Sequence, residues 1–91
     1  MEVREKRSGQ EELYELFKVH LHKRLKEKIN ASVYVSINND ILFIRISKLG
    51  IYWEQRYENI LDRILQEADS AKFADDIVKY FRREVLHTFF Y

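Results

Sequence analysis

The fold is decided by residues 33–46, which read VYVSINNDILFIRI. Apolar side chains occupy every second position on both sides of the central Asn-Asn-Asp, and a period of two is typical of β-strands with one buried face. Asparagine and aspartate tolerate the positive φ angles that tight hairpin turns require. The stretch therefore predicts a β-hairpin.

Two positions are open for the turn of this hairpin. A turn at Asn38-Asn39 places Tyr34 directly opposite Phe43, whereas a turn at Asn39-Asp40 moves every cross-strand partner by two residues. A shift by an even number leaves each side chain on the same face of the sheet. Both alternatives therefore place the valines and most isoleucines on one face, and Tyr34 with Phe43 on the other.

A long helix precedes the hairpin in the predicted order of elements. From Gln10 onward, apolar side chains recur every three or four residues, which is the spacing of one buried helical stripe. Acidic residues in the first turns and lysines in the last turns match the helix dipole, and Asn30 could close the helix in the left-handed conformation. The predicted stripe consists of Leu13, Leu16, Phe17, His20, Leu21, Leu25 and Ile29.

Residues 51–57 come after a second turn at residues 47–50. They alternate and are rich in β-forming side chains, which predicts a third strand. A helix that begins near Ile51 is the alternative, because Trp53 and Tyr57 also fit helical spacing. The strand is favoured since two strands alone bury little surface and need further support.

The end of the chain predicts two more helices. Residues 60–66 have the pattern of a short helix, and Asp69-Ser70 is a capping pair for a final helix that carries Arg82 and Arg83 further on. The predicted core face of that final helix consists of Ala74, Ile77, Val78, Phe81, Val85 and Phe89.

These elements together predict an α+β fold in two layers. A long N-terminal helix, a three-stranded antiparallel meander, a short helix and a long C-terminal helix follow one another, and the long helices cover one face of the sheet. A chain of 91 residues is long enough to form one hydrophobic core only. We therefore expect residues 1–9 to form a polar N-terminal tail and residues 10–91 to form a single α+β domain.

The composition bears on the compartment. The chain contains no cysteine, which excludes disulfides and thiolate metal sites and favours a reducing cytoplasm. No apolar run exceeds four residues, so we predict no membrane-spanning segment and no membrane partner. The cytoplasm is the expected location.

Enzymatic chemistry has little support in the sequence. Gly9 and Gly50 stand alone, so there is no glycine-rich phosphate loop. His20 and His22 lie two residues apart on a predicted helix and point in nearly opposite directions, so they cannot chelate one ion; we assign His20 a structural place on the apolar stripe. We expect no catalytic residue, no cofactor and no metal site.

The outer face of the sheet is the first candidate interaction surface. Aromatic rings interleaved with arginines can stack on a partner, although cross-strand packing of the same rings would also stabilise the sheet itself. Large exposed apolar patches mark interaction sites. The predicted partner-binding residues are Tyr34, Phe43, Arg45, Tyr52 and Arg56 on this face, accompanied by Ile41 and Glu54, and Phe90 and Tyr91 at the aromatic C-terminal end.

A basic stretch of the first helix is the second candidate. The chain as a whole carries a net charge of only +1. Basic and acidic residues are concentrated in different segments, and their charges nearly cancel. A solvated outer face is the simple interpretation of such lysines. The residues that could contact phosphates are Lys18, His22, Lys23 and Lys26, with Lys28 beside them.

Three features carry a resemblance to known proteins: the hairpin at residues 33–46, the segment YENI at residues 57–60, and the final helix with its Phe-Phe-Tyr end. In these features the chain resembles small uncharacterised α+β accessory proteins of phages and prophages of Gram-positive bacteria. The resemblance implies a factor that binds and inhibits a host protein, including defence systems such as CRISPR nucleases. The order of elements is also similar to a double-stranded-RNA-binding domain, but that family has lysines where this chain has Asp75 and Asp76.

The sequence therefore predicts a small non-enzymatic protein-binding module, and the resemblance implies a phage-type inhibitor of a host protein. Its partner is a host protein or a second copy of the same chain. The alternative is a nucleic-acid-binding domain that uses the aromatic and arginine side chains of the sheet face together with the basic first helix.

Overall fold

The computed structural model describes the backbone of residues 2–90 and the side chains of residues 9–66 and 68–89. The predicted α+β order is confirmed. The elements are α1 (Glu2–Lys28), β1 (Ser32–Asn38), β2 (Ile41–Lys48), β3 (Ile51–Glu58), α2 (Ile60–Ile64) and α3 (Glu67–Phe90).

The sheet is an antiparallel meander in the order β1-β2-β3. Its first turn is Asn39-Asp40, with φ angles of 53° and 62°. Tyr34 consequently lies opposite Arg45 and not opposite Phe43, so the direct Tyr34–Phe43 pairing given by the other turn is wrong. The third strand is confirmed, and the alternative of a helix beginning near Ile51 is excluded by the pairing of β3 with β2.

The core lies between one face of the sheet and the long helices. Leu42, Ile44 and Ile46 of β2 are completely buried, and the rings of Phe17 on α1 and Phe73 on α3 stack with their centroids 5.6 Å apart. Every buried side chain among those described is apolar. Burial of apolar surface is therefore what holds the two layers together.

The buried stripe of α1 is narrower than predicted. Phe17, Leu21 and Leu25 are buried at a spacing of four residues, whereas Leu16 and His20 are exposed. Each of these two residues precedes a buried one, and a step of one residue turns a helix by about 100°. The prediction that His20 lies within the apolar stripe is therefore wrong.

Both ends of α1 differ from prediction. The helix begins at Glu2 and not at Gln10, so residues 2–9, predicted as a polar tail, continue the helix through Gly9. A single glycine weakens a helix by about 1 kcal/mol relative to alanine without ending it. At the other end Asn30 is not left-handed. Instead its carbonyl oxygen accepts a hydrogen bond of 2.6 Å from Lys48 Nζ.

The final helix begins earlier and packs as predicted over most of its length. It begins at Glu67, so the predicted capping pair Asp69-Ser70 lies inside its first turn. The Ser70 N–H bonds to the Gln66 carbonyl at 2.8 Å. The predicted core face is buried except for Phe89, which is half-buried and meets the ring of Trp53 edge-on at 6.1 Å.

Candidate protein-binding surface

The side of the sheet that faces away from the helices carries the predicted binding residues. Strand alternation separates these side chains from the buried ones of β2. Tyr34 is 56% exposed and Tyr52 is 60% exposed. We define the outer sheet face as Tyr34, Ser36, Ile41, Phe43, Arg45, Tyr52, Glu54 and Arg56.

Arg45 is the centre of the outer sheet face. It lies between Tyr34 on β1 and Glu54 on β3 in one cross-strand row. Its Nε donates a hydrogen bond of 2.7 Å to Glu54 Oε2, and a second guanidinium nitrogen contacts the same carboxylate. Its guanidinium carbon also lies 4.9 Å from the centre of the Tyr52 ring, which is the geometry of a cation–π contact. One arginine therefore holds two neighbours in fixed positions.

Tyr34 and Phe43 form the aromatic part of the face. Their ring centroids are 6.2 Å apart at an interplanar angle of 63°, an edge-to-face arrangement across a diagonal of the hairpin. Phe43 is half-buried by this contact, whereas more than half of Tyr34 stays exposed. The cross-strand packing expected from the sequence is present, and it leaves aromatic surface available.

The outer sheet face is close to electrically neutral. Arg45 and Arg56 are balanced by Glu54 and by Glu58 at the end of β3. Arg56 is exposed and makes no ion pair with any side chain among the described residues. The face therefore offers aromatic surface and the exposed guanidinium of Arg56 with little net charge.

The turn between β2 and β3 adds an apolar side chain that the sequence interpretation missed. Leu49 has a φ of 53° and is 81% exposed, and it is followed by Gly50 with a φ of 82°. Left-handed backbone costs about 1–2 kcal/mol at a residue with a β-carbon. Leu49 and Tyr52 line one shallow depression. The available signal was Leu-Gly at a hairpin turn, where Asn-Gly is the favoured pair.

The C-terminal end is only partly described. The side chain of Phe90 and the whole of Tyr91 lie outside the described residues, so their predicted role in partner binding stays a prediction. Leu86, one turn earlier on α3, is 41% exposed.

The basic residues of α1 are divided among different surroundings. Lys18 Nζ lies 3.2 Å from Glu15 Oε1, and His22 Nε2 donates to the Val33 carbonyl oxygen at 3.2 Å. The first contact lies within α1, and the second joins α1 to β1. The use of these two residues for phosphate contacts stays a prediction.

The remaining three lysines do not form one patch. Lys26 Nζ donates to the Ala31 carbonyl oxygen at 3.2 Å, beside the end of the helix. Lys23 is exposed, and Lys28 lines a groove against α3. The basic residues of α1 therefore lie on two sides of the helix, one next to β1 and the other next to α3.

The comparisons with known proteins give no family for this chain: no family model, no curated protein and no solved structure matches it significantly. In the described part of the chain, no three metal-ligating side chains converge. None of the described helices has the apolar length that crossing a bilayer requires.

Proposed function

We propose that this chain is a non-enzymatic protein-binding module that docks through the outer sheet face and Leu49. One observation supports this most strongly: the second face of the sheet carries exposed rings of Tyr34 and Tyr52, while the long helices pack on the first face. Aromatic side chains dominate the binding energy of protein interfaces.

The strained turn supports the same surface independently. Leu49 is exposed and left-handed, so it gains nothing from the core and carries a backbone cost. Unfavourable backbone conformations concentrate at functional positions. Its place beside Tyr52 extends the apolar area at one end of the outer sheet face.

The charge of the face favours a protein over a nucleic acid. Phosphate contacts require a surplus of cations, but Arg45 is already bound to Glu54 and Glu58 offsets Arg56. We propose a partner whose contact surface is mostly apolar and carries one carboxylate positioned for Arg56.

The resemblance to phage accessory proteins extends the proposal to a mode of action. A module of this size inhibits a host protein by covering the surface that the host protein needs. Such masking requires no chemistry from the module, only an interface with a few strongly contributing side chains. A host defence nuclease of the CRISPR type is one target of this kind.

The test is a comparison of two double variants. Tyr34→Ser with Tyr52→Ser removes the exposed rings of the face, and Leu16→Ser with Val19→Ser removes exposed apolar side chains from α1, away from the face. Both variants should keep the native circular dichroism spectrum. We count a host protein as a specific partner only if both the wild type and the α1 variant bind it.

The dissociation constant decides the result. We expect the face variant to bind that partner at least 30-fold more weakly, since two side chains of this kind contribute about 2 kcal/mol or more. Equal affinity of the face variant and the wild type contradicts the proposal. A concentration-dependent dimer in sedimentation that only the face variant abolishes identifies a second copy of the chain as the occupant instead.

A further inference from the structure

A groove between α1 and α3 is lined by positive charge. Its walls carry Arg24 and Lys28 from α1, and Lys79, Arg82 and Arg83 from α3, around a cavity of about 680 Å³. We call it the cationic groove. It lies on the helical layer, whereas the proposed protein-binding surface lies on the sheet.

Most cations of the cationic groove have no acidic partner in the described part of the chain. Arg24 forms an ion pair with Asp75, which is the acidic side chain that lines the groove. The other four cations make no ion pair or hydrogen bond with the residues that the structure describes. Four cations without a partner among the described residues therefore line one groove of a protein whose net charge is only +1.

The spacing of these cations is unfavourable for the helices themselves. Arg24 and Lys28 are four residues apart on α1, and Lys79 and Arg83 are four residues apart on α3. Like charges at this spacing are neighbours on a helix surface and destabilise it. Asp75 already offsets Arg24 in the first pair, so a bound anion would relieve chiefly the repulsion between Lys79 and Arg83.

The exposed lining of the groove is mostly apolar, while its charged groups are mostly cationic. Leu86 is 41% exposed, and the methylene stems of the lysines and arginines supply further apolar surface. A single strand uses both parts of this lining, because its phosphates bind cations and its unpaired bases stack on arginine planes. An acidic amphipathic helix is the competing occupant, and the experiment below separates the two.

The cations lie on both walls of one groove. Proteins that bind single strands without sequence preference use a positively charged groove that follows the backbone. Along α3, the cations Lys79 and Arg83 are separated by a rise of about 6 Å.

We propose that the cationic groove binds the sugar–phosphate backbone of single-stranded nucleic acid without sequence preference. The contacts to phosphate come from Lys28, Lys79, Arg82 and Arg83. Each arginine guanidinium can donate two parallel hydrogen bonds to phosphate oxygens. This site differs from the sheet face and from the exposed side of α1, where the sequence predicted nucleic-acid contacts.

The experiment uses fluorescence anisotropy with a labelled 20-nucleotide oligothymidine and the whole chain, at several salt concentrations. Four phosphate contacts predict a slope of about −2.8 for the logarithm of the association constant against that of salt. The affinity should therefore fall roughly 50-fold between 50 and 200 mM salt.

Two matched double variants locate the site. Lys28→Gln with Lys79→Gln removes one groove lysine from each long helix, and Lys23→Gln with Lys72→Gln removes one exposed lysine from each long helix outside the groove. The net charge changes equally in both. The groove variant should halve the salt slope to about −1.4, and the control variant should leave it unchanged.

Several results overturn the proposal. Absence of binding to oligothymidine at 50 mM salt removes the site. Equal loss of binding in both variants shows a general charge effect and not a groove. Tighter binding of a 20-base-pair duplex than of the single strand, or binding of polyglutamate without binding of oligothymidine, assigns the charge to another partner. None of these results depends on the aromatic rings of the outer sheet face, so the two proposals fail separately.

Discussion

The Tyr14 hydroxyl donates a hydrogen bond of 2.8 Å to Asp40 Oδ1, which joins α1 to the turn of the hairpin. The same carboxylate oxygen accepts the Leu61 N–H at 2.8 Å, at the beginning of α2. Gln10 Nε2 donates to the Tyr14 hydroxyl at 3.0 Å and orients it. A single carboxylate therefore fixes three elements relative to one another.

Replacing Asp40 should measure this connection. Asp40→Ala removes both hydrogen bonds and places alanine at a φ of 62°, and we expect a loss of about 2–3 kcal/mol in the free energy of unfolding. Asp40→Asn keeps an acceptor and tolerates positive φ, so it should lose less than half as much. Urea denaturation measures both, with the exposed Asp76→Ala as control. Equal stability of the Asp40→Ala and Asp76→Ala variants contradicts the prediction.

Two tyrosines predict a loss of stability at alkaline pH. Burial raises the pKa of Tyr57 above its usual 10.0, Tyr80 raises it further, and Arg63 partly opposes the shift. Burial likewise raises the pKa of Tyr14, against the hydrogen bond from Gln10 and with the help of Asp40. Because the unfolded chain then ionises first, stability is complete below about pH 10 and falls as pH rises through the folded pKa values.

The alkaline prediction is tested by urea denaturation at pH 8.5 and pH 11. The Tyr57→Phe variant should lose less stability between the two pH values than the wild type. Tyr34→Phe alters an exposed ring and should follow the wild type. A fall in stability of the same size in the wild type and the Tyr57→Phe variant excludes Tyr57 as a source.

The turn at Leu49 predicts that a substitution there can raise stability and weaken partner binding at the same time. Leu49→Asn places a residue that tolerates positive φ at a position with a φ of 53°, and we expect a gain of about 1 kcal/mol. For a chain of this size that gain raises Tm by roughly 4–8 °C. The same variant should bind the protein partner more weakly. A variant with an unchanged Tm and unchanged affinity contradicts both parts.

Core truncation should distinguish the two sides of α1. Leu21→Ala removes a completely buried side chain and should cost about 2–5 kcal/mol. Leu16→Ala alters an exposed position of the same helix and should change stability by less than about 0.5 kcal/mol. Thermal unfolding followed by circular dichroism compares them. Similar losses in the two variants would mean that the apolar stripe of α1 faces the core over its full predicted width.

The sequence predicts the sheet well because strand alternation is a local property. The period of two in residues 33–46 assigns each side chain to a face, whichever turn is chosen. It cannot choose the turn, because both alternatives obey the same alternation. Leu16 and His20 differ from the prediction for a related reason: spacings of three and four define a wide stripe, and only packing against the neighbouring elements decides how much of it is covered.

The candidate sites also differ in how far the sequence predicts them. The rings of the outer sheet face are predictable, because alternation alone places Tyr34 and Phe43 together on the face opposite the buried side chains. The cationic groove is not predictable in this way, since Lys28 and Lys79 are far apart in sequence and meet only through the packing of α1 on α3. Leu49 escapes prediction because its left-handed backbone becomes visible only in the folded turn.

The contacts of Arg45 have a consequence for the kinetics of association. A side chain already fixed between Glu54 and Tyr52 has little rotamer entropy left to lose when a partner arrives. Rigid surfaces of this kind bind with little rearrangement, and a surface without net charge does not accelerate encounter. Association should therefore proceed at about 10⁵–10⁶ M⁻¹s⁻¹ with almost no response to ionic strength, and differences among partners should appear in how long each complex lasts.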